Sequence, residues 1–209
     1  MKLLLVGSTG LVGGFVLAEA LADIRFNSVV ALTRTPLPPH AKLLNPVVDF
    51  DALPADAPWW DVDAAICTLG TTRRRAGSDA AFTRVDHDYP LAVARLARRH
   101  GAGTFVLNSA LGADPRSRLL YSRTKGELER DLASLGFGSL TLVRPGLIGG
   151  DREERRMAES LASTVLGVLS PLLPARYRIN PAPTIAAALL DAAAAALPGR
   201  QVVPSEALI

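Results

Sequence analysis

The 209-residue chain is 49% apolar with a formal charge of only +3, which suits one α/β domain and excludes a disordered chain. Its basicity comes from arginine, since Lys2, Lys42 and Lys125 are the only lysines, and it gives no reason to expect a nucleic-acid partner. The single cysteine, Cys67, excludes an intrachain disulfide and suits a reducing compartment, so the expected location is cytoplasmic.

Lys2–Val6 reads as a buried strand and Leu11–Ala22 as a helix, joined by Gly7-Ser8-Thr9-Gly10-Leu11-Val12-Gly13. Met1-Lys2 and the apolar run after it imitate a signal peptide, but cleavage there would destroy this glycine loop, so none is read. A strand that breaks into a glycine turn and then a helix holds a pyrophosphate: Gly7 turns the chain, Gly10 lets the backbone approach the phosphates, and Gly13 lets the helix pack closely. Free amides and the dipole at the helix start favour the anion. Ser8 interrupts the common Gly-x-Gly-x-x-Gly fingerprint, so the spacing here is Gly-x-x-Gly-x-x-Gly.

Ser28–Thr33 is the second predicted strand, and Thr33-Arg34 at its end faces the position of an adenosine ribose. No acidic residue lies between Asn27 and His40, and an arginine pairs with a 2′-phosphate, so NADP(H) is expected over NAD(H). A short third strand, Val47–Phe50, would place Asp49 and Phe50 beside the adenine. Ala64–Cys67 is the fourth, preceded by a loop with Pro54, Pro58 and Trp59-Trp60. Thr68-Leu69-Gly70-Thr71-Thr72 follows it, a small-residue loop that lets the backbone pass close to a cofactor. Arg73-Arg74-Arg75 is either a solvated run or a grip on a substrate anion.

A helical region spans about Ser78 to His100, followed by a strand at Thr104–Leu107 that ends in Asn108-Ser109. Asp114-Pro115 predicts the start of a helix over Arg116–Leu135. Tyr121 and Lys125 then share one face of that helix, four residues apart. A nearby ammonium and a nicotinamide's positive charge would draw the phenol's pKa down toward neutrality, and a serine at the adjacent strand end would hold a substrate oxygen. Leu140–Val143 is the sixth strand, and Arg144-Pro145-Gly146 is its exit past the nicotinamide end of the cleft. The apolar tract Leu161 to Leu173 holds Gly167 and Pro171 and is shorter than the ~20 residues of a membrane span, so no membrane segment is expected. Ala186–Leu197 reads as a final helix. His40, His87 and His100 are scattered and, with one cysteine, predict no metal site.

The strands are continuously apolar and alternate with helices, as a doubly wound parallel sheet covered by helices on both faces requires. Residues 147–185 would form a small C-terminal substrate-side lobe. The helices over 78–100 and 116–135 either pair between two subunits or stay solvated, so a monomer and a homodimer are both open.

The glycine loop, Ser109, Tyr121, Lys125 and the Arg144-Pro145-Gly146 exit together resemble the short-chain dehydrogenase/reductase superfamily in its atypical or extended form. Leu69-Gly70-Thr71-Thr72-Arg73, Phe82-Thr83-Arg84-Val85-Asp86, Tyr121-x-x-x-Lys125-Gly126-Glu127 and Asp151-Arg152-Glu153-Glu154 are similar to the Tat-interacting-protein branch, over roughly residues 1 to 156. The resemblance implies a Rossmann domain binding NADP(H), with Ser109, Tyr121 and Lys125 as a catalytic set acting on a small-molecule substrate. Members of the branch are discussed as reductases and as cofactor-sensing regulators. The leading expectation is reduction of a small carbonyl compound. The alternative is a non-catalytic regulator whose arginines at 152, 155 and 156 face an acidic partner. Sugar-nucleotide epimerisation ranks below both, for want of a large C-terminal domain.

Overall fold

The computed structural model describes residues 1–149, 174, 176 and 178–209. Seven parallel strands form one sheet: β1 (Lys2–Val6), β2 (Ser28–Leu32), β3 (Leu43–Leu44), β4 (Ala64–Cys67), β5 (Thr104–Asn108), β6 (Ser139–Arg144) and β9 (Gly199–Pro204), in spatial order β3-β2-β1-β4-β5-β6-β9. The order reverses at β1 and β4, the switch point outside whose carboxyl ends such sheets bind ligands. A separate parallel pair, β7 (Leu147–Gly149) and β8 (Ile179–Pro181), follows the exit from β6.

Both faces of the sheet are covered, which is why the central strands β1, β2 and β4 are almost continuously apolar. Leu3 and Leu5 of β1 pack with α1 (Leu11–Ala22) and α6 (Ala182–Ala195), through Val12, Val16, Ile185 and Leu189. Leu4 and Val6 face the opposite side, where α4 (Tyr89–Arg99) and α5 (Leu120–Ala133) contribute Val93, Ala97, Leu128 and Leu132. Trp60 is fully buried there, its indole N–H donating to the Pro54 carbonyl at 2.7 Å. Among the described residues no helix is long and apolar enough to cross a membrane.

Several boundaries differ from expectation, each for a local reason. The third strand is Leu43–Leu44 rather than Val47–Phe50. Pro46 has no N–H for the ladder, and Asn45 Nδ2 donates to the Ala31 carbonyl at 2.7 Å instead, leaving Val47 a single bridge to Thr33. The long helix over 78–100 is divided into α3 (Asp79–Thr83), a π-helical turn Arg84–Asp88 and α4, after the short α2 (Arg73–Ala76). Pro90 explains the break: it cannot donate to the carbonyl four residues back, that of Asp86, and its ring crowds that group.

Helix α5 starts at Leu120, not Arg116. Asp114 Oδ1 accepts from the Arg116 N–H at 2.9 Å, so the predicted cap closes a turn of its own instead. The last helix starts at Ala182, four residues before the expected Ala186.

Strand β9, unread in the sequence, pairs with β6 from Ser139↔Gly199 to Arg144↔Pro204. The fully buried Asn180 pins the β6 exit to the C-terminus. Its Oδ1 accepts from the Gly146 N–H at 2.7 Å and from Ser205 Oγ at 2.8 Å. The rest of the expected 147–185 lobe, including Leu161 to Leu173 and the arginines at 152, 155 and 156, lies outside the described residues.

Candidate active site

The glycine loop sits at the switch point and is fitted against the end of β4. Gly7 has φ +92°, and a Cβ there would lie 2.6 Å from the Thr68 carbonyl carbon. A Cβ at Gly13 would lie 2.1 Å from the Gly7 oxygen and 2.5 Å from Thr68 Oγ1. No side chain fits either place, so α1 rises tight against the loop. Thr68 completes the contact by donating to the Val6 carbonyl at 3.0 Å.

No side chain caps Gly10 at the start of α1, and no acidic residue occupies its first turn. Ser8 is 4% exposed, and its hydroxyl has no hydrogen-bond partner among the described residues. An orphaned buried hydroxyl beside uncapped helix amides is the environment a pyrophosphate satisfies. The cradle of Gly7, Ser8, Thr9, Gly10, Leu11, Val12 and Gly13 therefore fits a dinucleotide.

The adenosine side is less uniform. Arg34 is exposed just past β2. Thr33 Oγ1 instead donates to the Thr35 carbonyl at 2.7 Å and accepts from Asn45 Nδ2 at 2.8 Å, so it serves the loop. Asp49 is exposed and Phe50 is buried in the core, its ring 5.5 Å from that of Tyr89. Leu69 is half-buried and Gly70 exposed at the end of β4. Pro145 is buried, its carbonyl accepting the Leu111 N–H at 2.7 Å and so extending the β5–β6 pairing beyond both strand ends.

Helix α5 brings Tyr121 and Lys125 together as the spacing predicts. Tyr121 lines a cavity of about 400 Å³ with Thr71, Arg73, Phe82, Leu119 and Ser122. Its ring lies 6.1 Å from that of Phe82, and the Arg73 guanidinium is paired with Asp79 at 2.5 Å.

Beneath the phenol, Lys125 is almost wholly buried. Its Nζ lies 2.8 Å from Oδ1 of Asp86, itself 1% exposed, in the π-helical turn. The other carboxylate oxygen accepts the Thr71 N–H at 2.8 Å, tying the pair to the loop after β4. Burial pulls the Lys125 ammonium down, but Asp86 and Tyr121 outweigh it and hold the lysine above its ordinary range.

The expected fall in the Tyr121 pKa does not occur in the protein by itself. Tyr121 is 47% exposed, yet the protein crowded around the phenol raises its pKa; Lys125 pulls it down, Asp86 offsets part of that pull, and the net direction is upward. Ser109 is also placed differently. Its hydroxyl donates to Glu129 Oε1 at 2.6 Å within the buried interface between β5 and α5. Glu129 further receives Arg144 Nε at 2.9 Å, pairs with the second arginine nitrogen, and has Arg200 at 3.5 Å.

Asp86, quoted only as the end of the Phe82–Asp86 motif, was given no role from the sequence, and neither were Ser122 and Glu129. For Asp86 the available signal was Pro90, four residues later, which breaks the helix at that carbonyl. For Glu129 it was strand alternation, since Ser109 shares a face with Phe105 and Leu107, which point toward α5.

No profile of a known protein family matches the chain. Individual proteins do. The protein FMP52, mitochondrial, of Eremothecium gossypii is 40% identical over 155 residues, covering 73% of this chain and 69% of its own. HTATIP2 of Rattus norvegicus is 38% identical over 192 residues, covering 90% of this chain and 78% of its own. Among solved structures, MoeE5 in complex with UDP-glucose and NAD superposes with a TM-score of 0.72 at 17% identity, over 97% of this chain and 75% of that one. A short-chain dehydrogenase/reductase-family oxidoreductase from Burkholderia thailandensis superposes with a TM-score of 0.69 at 21% identity, over 99% and 92%.

The structural likeness shows the fold, a doubly wound Rossmann-type domain. The fungal relatives also correct the expected cytoplasmic location. FMP52 proteins of Eremothecium gossypii, Emericella nidulans and Aspergillus clavatus are named as mitochondrial, and a lone cysteine cannot separate one reducing compartment from another. Sequence similarity to HTATIP2 and FMP52, carried on this fold, makes the chain a member of the Tat-interacting-protein branch of the atypical short-chain dehydrogenase/reductases.

Proposed function

We propose that the protein is an NADPH-dependent oxidoreductase that reduces a small carbonyl substrate at Tyr121. The observation that carries the reading is a phenol at the wall of a cavity, with a buried lysine below it, beside a glycine cradle holding an orphaned hydroxyl. When bound, the reduced nicotinamide supplies hydride to the carbonyl carbon.

The chain's own residues do the rest. The loop from Gly7 to Gly13 holds the diphosphate through backbone amides and Ser8 Oγ, and the exposed Arg34 pairs with a 2′-phosphate. Asp49 borders the adenine side, and Thr68, Leu69, Gly70 and Pro145 line the passage to the nicotinamide. Lys125 binds the nicotinamide ribose. Tyr121 gives its phenolic proton to the carbonyl oxygen as negative charge develops there. Ser109, committed to Glu129, fixes the strand end that borders the site rather than holding the substrate oxygen itself.

Tyr121→Phe tests the assignment. Turnover of a carbonyl panel with NADPH should fall by about two orders of magnitude or more, while NADPH affinity by calorimetry stays near that of the parent. Wild-type turnover by this variant overturns the catalytic role. A second reading, a cofactor-sensing regulator without turnover, is favoured by one observation: Ser109 is fully engaged with Glu129 and leaves no strand-end hydroxyl for a substrate. Tight NADPH binding with no hydride transfer over the same panel would select it. Tighter binding of NADH than NADPH would remove the role given to Arg34.

A further inference from the structure

We propose that Asp86 is a positioning residue that acts through Lys125 to keep the Tyr121 phenol protonated across the neutral range, setting the site to donate a proton to a carbonyl oxygen rather than to take one from an alcohol. The consequence for reaction direction rests on the reductase reading above. The electrostatic claim does not.

The geometry is specific. The ammonium and carboxylate stand 2.8 Å apart with side chains 4% and 1% exposed, so water screens neither charge. A lone buried ammonium next to a phenol is a strong device for making phenolate. Here its charge is matched by an anion 2.8 Å away, and the pull of the lysine on the phenol is opposed in part by Asp86. The carboxylate is held in place twice over. Pro90 forces the π-helical turn that carries Asp86, and the Thr71 N–H fixes the second oxygen at 2.8 Å.

No other described charge takes over the lysine's role. From β4 the buried Cys67 thiol faces the pair, and burial pushes it up to about 11, so it stays neutral. From α2 Arg73 lines the same cavity but is paired with Asp79. From α3 the phenol meets only the ring of Phe82. Desolvation by the protein around the half-exposed phenol, together with Asp86, holds Tyr121 above the ordinary tyrosine range despite Lys125.

In the reductive direction the Tyr121 Oη–H bond breaks as the O–H bond of the alcohol forms. Hydride reaches the carbonyl carbon from the reduced nicotinamide, which is thereby oxidised, and solvent returns a proton to the phenolate. The reverse direction needs phenolate at the outset, and its population at neutral pH falls about tenfold for each unit by which the phenol is raised.

The test uses the cofactor-free full chain. Tyrosinate absorbance is titrated in the parent and in Asp86→Asn, each subtracted against its Tyr121→Phe counterpart, because the chain has three tyrosines. Asparagine keeps an acceptor for the Thr71 N–H, and Pro90 still sets the turn. The Tyr121 midpoint should drop by about one pH unit or more in Asp86→Asn. The pH profile of alcohol oxidation should move down by the same amount. An unchanged midpoint overturns the inference and leaves the reductase reading standing. A lowered midpoint in a protein that reduces no carbonyl supports it while removing that reading.

If Asp86→Asn does not fold by circular dichroism, the double variant Asp86→Asn with Lys125→Gln replaces it, with no charge left to bury. Its Tyr121 midpoint should stay within about half a unit of the parent, because the two fields removed oppose each other. A rise of about a unit or more would show that the lysine acts unopposed, and would overturn the inference.

Discussion

Helix α5 carries two buried ionic sites one turn apart, and they are built differently. At Lys125 both partners are almost wholly buried, and around them stand the Thr71 amide, the Cys67 thiol and the phenol. At Glu129 the carboxylate is buried, but its arginines come in from half-open positions on β6 and β9, and the Ser109 hydroxyl joins them from β5. The second site stitches one helix to three strands and has a structural purpose at every contact. The first joins α5 to the π-helical turn and the loop after β4, at a burial where an apolar pair of similar volume would serve stability as well or better. We attribute its charges to the role proposed for them beside Tyr121.

The sharpest way to break this contrast is to remove one member of each site. Lys125→Met strands Asp86 as an uncompensated buried charge and should cost about 3–5 kcal/mol in urea denaturation. Arg144→Ala leaves Glu129 with Ser109 and Arg200 and should cost less, about 1.5–3 kcal/mol. If the two losses are equal, the distinction between a chemical and a structural site falls.

Replacing both members sharpens it. Asp86→Leu with Lys125→Met should return stability to within about 1–2 kcal/mol of the parent while carbonyl turnover stays lost. The matching change, Glu129→Leu with Arg144→Met, should remain destabilised, because Ser109 then keeps a buried hydroxyl without an acceptor.

The pH dependence is a smaller effect. Lys125 sits above its ordinary range when folded, so its contribution is present below the unfolded value and is lost as pH rises through the folded one. Denaturation midpoints should therefore fall on the alkaline side, and Lys125→Met should remove part of that fall. Smallest of all, Cys67, buried and pushed up to about 11, should react with a thiol reagent only on unfolding. Labelling at the native-state rate of an exposed thiol would show that the floor of the site opens.

Much of this was legible in the sequence wherever one residue type answers one geometric need. The glycine loop is such a case, since no side chain fits at Gly7 or Gly13. So is the pairing of Tyr121 with Lys125, which needs only helical periodicity. What escaped reading depends on partners brought from elsewhere. Asp86 looks like one more charge on a solvated helical face until Pro90 turns it inward. The hydroxyl of Ser109 is directed by Glu129, twenty residues on. The third strand failed at Pro46, where Asn45 takes the ladder position with its side chain. Strand β9 begins Gly199-Arg200-Gln201, too polar to read as a buried strand, because it lies at the end of the strand order and needs cover on fewer sides.

Gly126, next to Lys125, has a consequence of its own. A methyl group there would lie 2.3 Å from both the Asp114 carbonyl carbon and the Pro115 nitrogen, so the segment leaving β5 lies directly on the bare backbone of α5. The Asp114 N–H, donating to the Ser122 carbonyl at 3.0 Å, fastens it there. The strand end and the helix that carries Tyr121 are thus mounted as one rigid piece, and the spacing between them is set by the absence of a side chain. An alanine at this position would leave the glycine loop intact and wedge apart the two halves between which the proposed reaction takes place.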